Sequence, residues 1–76
     1  MRAGAKRSVT IAGHRTSIAL EPEFWRALND IARAEGRSLG ALIARIDAGR
    51  AGSPKRGLSS AIRVFILEHY RNREAR

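Results

Sequence analysis

Two residues in a short alternating segment, Arg15 and Ser17, can recognise another molecule through hydrogen bonds. An arginine guanidinium donates several hydrogen bonds from a rigid plane, and a serine hydroxyl both donates and accepts. Alternation with a period of two predicts a half-buried β-strand over residues 15–20, with Arg15, Ser17 and Ala19 on one face. The residues of the opposite face are apolar or β-branched: Thr16, Ile18 and Leu20. The pattern therefore predicts a strand that binds with one face and packs with the other.

Catalytic and metal-binding patterns are missing from the sequence. The chain has no cysteine, and its two histidines, His14 and His69, lie far apart without ligand-spaced companions. The seven acidic residues are scattered, and Glu21 and Glu23 are placed as helix-start charges rather than as an acid–base pair. There is no glycine-rich phosphate loop. We therefore expect no enzymatic activity, no catalytic residue, no metal site and no cofactor.

The composition indicates one small basic domain spanning residues 1–76, with a net charge of +8 and a pI near 11.7. That charge favours a polyanionic partner, nucleic acid before an anionic membrane surface. An arginine-rich proteome would give the same charge without any such partner, because thirteen of the fifteen basic residues are arginine. No segment is apolar and long enough to cross a membrane, so we expect a cytoplasmic protein with no membrane partner.

Helix-start and helix-stop residues place three helices after the strand. Pro22 suits a first helical turn and Gly36 a left-handed C-terminal cap, which predicts a helix over 22–35. Ser38 is a suitable N-cap for a second helix over 38–48. Residues 49–57 are a loop by composition, and a third helix follows over 58–71, with a charged tail that we expect to fray. Residues 1–14 are expected to form a basic arm, within which residues 8–12 could add a short strand.

A single short strand cannot satisfy its own backbone groups, so the strand over 15–20 needs a partner. The simplest partner is the same strand of a second copy, which gives an antiparallel ribbon across a two-fold axis. Pairing in a hairpin about Gly13 and His14 is the alternative left open by the sequence. The third helix has an unusually wide apolar sector, which suggests burial from two sides, as at a dimer interface.

The segment from Arg15 to Arg50, RTSIALEPEFWRALNDIARAEGRSLGALIARIDAGR, resembles the ribbon-helix-helix family of DNA-binding repressors of the MetJ/Arc type. The shared features are the alternating strand, the helix just after it, the Gly-Arg-Ser turn at 36–38 and the Leu-Ile-Ala-Arg-Ile run. With LSSAIRVFILEHYR included, the whole chain is similar to short bacterial members with an added C-terminal helix. The resemblance implies a mainly α-helical fold with one strand per chain, paired in an intertwined homodimer.

The resemblance also implies site residues, carried over by position. Solvent-facing residues of the strand would read base edges in double-stranded DNA: Arg15, Ser17 and Ala19. The start of the second helix would hold a phosphate through Arg37, Ser38 and Leu39, and the basic arm would add Lys6 and Arg7. Ala19 departs from the long polar residue usual there, so base specificity could be modest, or could be supplemented by His14 or by the basic arm with Arg2, Lys6 and Arg7. The predicted dimer core consists of Ile18, Leu20, Phe24, Leu28, Ile31, Leu42, Ile43, Ile46, Ile62, Phe65 and Ile66.

The leading hypothesis is a homodimeric, sequence-selective DNA-binding protein, acting as a transcriptional repressor or autoregulator. The alternative is a protein-interaction module such as an antitoxin, whose C-terminal helix docks a toxin or another partner protein. The exposure of Val64 and Leu67 separates these cases, because a bare apolar helix face implies a partner. A third hypothesis is sequence-independent coating of nucleic acid, driven by the positive charge alone.

Overall fold

Two strands and three helices follow one another along the chain in the computed structural model, which describes residues 5–11, 13–49 and 57–74. The elements, in chain order, are β1 (Ala5–Ile11), β2 (His14–Leu20), α1 (Pro22–Ala34), α2 (Leu39–Gly49) and α3 (Leu58–Glu74). The two strands form one antiparallel sheet, and the three helices pack on one of its faces. Of the two strands, α2 contacts mainly β1, whereas α3 contacts mainly β2.

The sheet is a hairpin made within one chain. The register pairs Ile11 with His14 at the turn and Ala5 with Leu20 at the open end. Gly13 lies in the turn with a φ of +83°, a left-handed conformation that a residue without a Cβ adopts at no steric cost. The alternative of a hairpin about Gly13 and His14 is therefore the observed arrangement.

Two expectations about the N-terminal part of the chain are wrong. The possible strand at 8–12 is present but longer, because residues 5–11 form a strand in place of most of the predicted arm, and the described residues hold two strands rather than one. The argument that the strand must pair with a second copy therefore loses its premise, because β1 supplies the hydrogen-bonding partner. Residues 1–4 of the predicted arm lie outside the described residues.

The N- and C-terminal ends of α1 follow from residues that the sequence identifies. Glu21 has an extended backbone at the N-cap and Pro22 opens the helix, where a missing N–H leaves no orphan donor. At the other end Gly36 has a φ of +67°, and the N–H of Arg37 donates to the carbonyl of Ala32 at 2.9 Å. The N–H of Gly36 donates to the carbonyl of Arg33, which completes a Schellman cap.

The second and third helices agree with their predicted starts to within a residue. Ser38 caps α2 through its hydroxyl, which accepts a hydrogen bond from the N–H of Ala41 at 3.1 Å. The third helix continues to Glu74, beyond the predicted end at residue 71, because the charged residues of the tail are good helix formers. Of the predicted loop over 49–57, residues 50–56 lie outside the described part of the chain.

The hydrophobic core is assembled inside a single chain. Nine of the residues predicted for a dimer core are buried without any second copy, and they are Ile18, Leu20, Leu28, Ile31, Leu42, Ile43, Ile46, Ile62 and Ile66. The other two, Phe24 and Phe65, are only partly buried and pack against the edge of this core. Trp25 is 1% exposed, so the helix presents its tryptophan, rather than the adjacent phenylalanine, to the interior. Burial of these residues therefore needs no partner.

The overall architecture confirms the predicted class, a ribbon followed by two helices and a third C-terminal helix. None of the helices in the described residues is both long enough and apolar enough to cross a membrane.

Candidate nucleic-acid interface

The face of the hairpin that points away from the helices is polar. The register places three cross-strand pairs on this face, Lys6 opposite Ala19, Ser8 opposite Ser17 and Thr10 opposite Arg15. All of them are exposed except Ala19, which is half-buried. We call these six residues the outer face. Ile11, Ile18 and Leu20 lie on the opposite face and enter the core, so one pleated ribbon separates binding groups from packing groups.

The three predicted base readers occupy alternate positions of β2 on this outer face. The structure adds two side chains from β1 that sequence reasoning did not assign, Ser8 and Thr10, and it places Lys6, predicted as a phosphate contact, on the same face. The signal for them was present, because residues 5–11 alternate in phase with β2 once the hairpin is paired. The six positions span about 14 Å along each strand, which matches roughly four base-pair steps of DNA.

The start of α2 lies beside the turn end of β1. A Cβ placed on Gly40 would approach the Thr10 backbone carbonyl to 3.6 Å, so the first turn of this helix sits close to the β1 backbone. The Ser38 hydroxyl accepts a hydrogen bond from the N–H of Ala41. The N–H groups of Leu39 and Gly40, the first two residues of α2, have no carbonyl partner within the helix. Such groups attract anions through the partial positive charge of the helix end.

Of the other two residues predicted to hold a phosphate at the start of α2, Arg37 lies on the surface and Leu39 packs against the core. Arg37 is exposed, and its Nε donates to the carboxylate of Glu35 at 2.9 Å. Arg45 approaches the same carboxylate at 3.8 Å. Leu39 is half-buried and packs against the core, so its contribution to anion binding would come from its backbone N–H. To bind a phosphate, the Arg37 guanidinium would have to release the Glu35 carboxylate.

Lys6 and Arg7 point to opposite faces of β1 although they are adjacent in sequence. Lys6 belongs to the outer face, whereas Arg7 is opposite Ile18 and places its guanidinium carbon 4.9 Å from the centre of the Trp25 ring. This separation is within the range of a cation–π interaction, which holds the arginine against the buried tryptophan. The two residues, predicted together as phosphate contacts, therefore serve different parts of the surface.

An ion pair connects the start of α1 to α3 at the open end of the hairpin. The Nε of Arg63 donates a hydrogen bond to Oε1 of Glu21 at 3.1 Å, and the Nη2 of Arg63 lies 3.1 Å from the same oxygen. Hydrogen bonding to the Glu21 backbone N–H, with a further contribution from the Arg63 side chain, lowers the pKa of this carboxyl group. The Glu21 carboxylate is ionised at neutral pH, and its exposed ion pair with Arg63 joins the residue before α1 to α3.

The two histidines are not brought together. His14 is exposed in β2, and His69 lies in α3 with its ring centre 5.1 Å from that of Tyr70. Across the described ranges, no group of three or more His, Asp or Glu side chains could hold a metal ion.

A family model for the ribbon-helix-helix domain matches residues 4–70, which is most of the chain. The chain belongs to the ribbon-helix-helix family. The comparison with curated proteins gave no match, and neither did the comparison with solved structures. Ribbon-helix-helix domains are generally DNA-binding transcription regulators or antitoxins, they form dimers, and the fold is non-enzymatic. In this chain the exposed outer face belongs to a hairpin formed within a single copy.

Proposed function

We propose that this ribbon-helix-helix protein is a homodimeric, sequence-selective DNA-binding protein that acts as a transcriptional repressor or autoregulator. The observation that carries the proposal is the outer face, which presents two cations, three hydroxyls and a methyl group on one exposed two-stranded ribbon. Arginine bonds guanine edges, serine and threonine bond any base, and an alanine methyl suits the methyl group of thymine. A net charge of +8 supplies the sequence-independent attraction.

The width of the hairpin favours insertion of one chain's ribbon. A two-stranded ribbon fits the major groove, which is about 12 Å wide. If β2 also paired with β2 of a second copy, four strands would span about 14 Å between the outer strand axes and could not all enter one groove. We therefore propose that each chain reads a half-site with its own hairpin. The readers are Arg15, Ser17 and Ala19, with Lys6, Ser8 and Thr10 beside them.

The proposed phosphate contacts flank this ribbon. The start of α2, with Arg37, Ser38 and the backbone N–H of Leu39, lies near the turn end of β1 and would hold a phosphate next to the groove. Lys6 lies at the other end of the outer face, near the open end of the hairpin.

Selection of bound duplexes from a random pool tests the function directly. A dimer that reads two half-sites should enrich a palindrome, because the two-fold symmetry of the protein is mirrored in its site. Random DNA that binds equally well, with no enrichment, would contradict sequence-selective regulation and favour coating by charge alone.

Leu67 of α3 is bare and Val64 is half-buried, so the exposed side of this helix calls for a partner, and we propose that the partner is a second copy of the chain. Leu67 is 56% exposed and Tyr70 is 36% exposed, and they border an apolar groove with Phe24 and Val64. Along the same helical stripe, Arg63 and Glu74 lie equally far from the midpoint between Leu67 and Tyr70. A second copy crossing antiparallel at this midpoint would therefore place each Arg63 beside the Glu74 of the other copy, which makes the stripe complementary to itself.

Leu67→Glu should convert the dimer into a monomer, because it buries a carboxylate against an apolar face. We expect the dimer dissociation constant, measured by sedimentation equilibrium, to rise by at least about tenfold. Asn72→Glu adds the same charge on a different side of α3 and should leave the constant unchanged. A dimer that survives Leu67→Glu must be held elsewhere, for example by the free edge of β2. A wild-type chain that is monomeric would leave this face for a protein partner such as a toxin.

A further inference from the structure

A groove between β1 and α1 gathers three arginines from two elements. It has a volume of about 390 Å³ and lies on the helix side of the hairpin, apart from the outer face and the start of α2. Arg26 and Arg33 are seven residues apart and so lie on one side of α1, and Arg7 reaches the groove from β1. Trp25 and Asn29 complete its floor, and Asp30 is the acidic side chain that lines it.

The groove is positively charged, and the rest of the chain does not neutralise it. All seven acidic side chains lie within the described residues, and none of them forms an ion pair with Arg26 or Arg33. By contrast, Arg37, Arg45 and Arg63 each contact a carboxylate. With three arginines and one aspartate, the groove carries a formal charge of +2 (three minus one).

Two contacts hold the groove in place before any ligand arrives. The ring of Trp25 is buried and fixes the Arg7 guanidinium 4.9 Å above its centre. The side-chain amide of Asn29 donates to the Trp25 carbonyl at 3.0 Å, which ties the middle of this surface to the helix backbone. A solvated charged helix face would lack both the concave shape and the fixed cation. Restricting one arginine in advance reduces the entropy lost on binding.

We propose that this groove is a phosphate-binding site in which Arg7, Arg26 and Arg33 donate hydrogen bonds to the oxygens of one phosphate group or of two linked ones. Guanidinium groups match phosphate geometry with two parallel hydrogen bonds, so three of them around one concavity form a suitable receptor. The phosphate comes either from the DNA backbone beside the bound ribbon or from a free polyphosphate. The first source rests on the proposed function, and the second does not.

The fluorescence of Trp25, the single tryptophan of the chain, reports on the groove without a label. The test variant is Arg26→Gln with Arg33→Gln, both on exposed positions of α1. Its matched control is Arg71→Gln with Arg73→Gln in the last turn of α3, which removes the same charge. Each protein is titrated with inorganic pyrophosphate and, separately, with a random-sequence duplex at several salt concentrations.

We expect the groove variant to bind the duplex about tenfold more weakly than the control does, with a log–log salt slope reduced by about 2. If pyrophosphate also changes the Trp25 signal of the wild type and the groove variant loses that change, the site takes free phosphate too. If only duplex binding depends on the groove, the source is the DNA backbone. The proposal is overturned if the groove variant and the control behave alike towards both ligands.

These outcomes separate the site from the proposed function. A wild-type chain that binds pyrophosphate through the groove but ignores duplex would support the site and contradict the DNA-binding proposal. If the chain binds duplex equally well with and without Arg26 and Arg33, and does not respond to pyrophosphate, the result contradicts the site and leaves the DNA-binding proposal supported.

Discussion

Arg15→Ala is expected to weaken binding to a selected duplex by about 1–3 kcal/mol and to relax base preference at one position of each half-site. Arg15 is exposed on the outer face opposite Thr10, so its guanidinium is available to donate hydrogen bonds to base edges. The loss concerns readout and not folding, because the side chain contributes nothing to the core. Fluorescence anisotropy on selected and random duplexes measures both effects.

Two controls distinguish base readout from general charge. Lys6→Ala removes a cation from the same face and should weaken binding to every sequence alike, with a salt slope about one smaller. Arg73→Ala removes an exposed cation from the last turn of α3, far along the chain from the hairpin, and should leave base preference intact. Equal losses on selected and random DNA for Arg15→Ala would show that this arginine contacts only phosphates.

Local sequence signals were sufficient for the helices and for one strand. Pro22, Gly36 and Ser38 each act within a few residues of their own position, and each stands where its cap was expected. The alternation from Arg15 to Leu20 also predicted which side chains enter the core, since a period of two leaves only two choices of face. Ser17 and Ile18 are accordingly exposed and buried.

The pairing of β1 was harder to predict because strand pairing depends on contacts between separate segments. Residues 5–11 begin with small and basic side chains, which are as common in a solvated arm as on an edge strand. Only the register shows that Val9 and Ile11 continue the packed face of β2 while Ser8 and Thr10 continue its polar face. The groove with the three arginines could not be predicted for the same reason. In the sequence Arg26 and Arg33 look like a solvated helix face, and only the structure places Arg7 of β1 against Trp25 beside them.

Burial inside one chain also changes what the predicted dimer core means. The residues predicted for the dimer core instead pack against one another within a single copy, between the ribbon and the three helices. Dimerisation is then free to use a separate surface, and the exposed stripe of α3 is the apolar surface left over among the described residues. In the proposed dimer, folding and dimerisation are separable, whereas an intertwined dimer would couple them.

Leu28→Ala is expected to reduce the free energy of unfolding by about 2–5 kcal/mol. Leu28 is 0% exposed at the centre of α1, and alanine leaves a cavity in the core. A chain of this size has a total stability of about 4–11 kcal/mol, so the variant should be close to unfolding at physiological temperature. Urea denaturation followed through Trp25 measures the loss.

The decisive comparison is made at protein concentrations low enough for the chain to be monomeric. If the core is complete within one chain, wild type remains folded there and Leu28→Ala still shows its full loss. Leu67→Ala, which removes the same atoms from an exposed position of α3, should change the stability of the monomer by less than about 0.5 kcal/mol. A wild type that unfolds on dilution would mean that a second copy completes the core, and the separation of folding from dimerisation would be wrong.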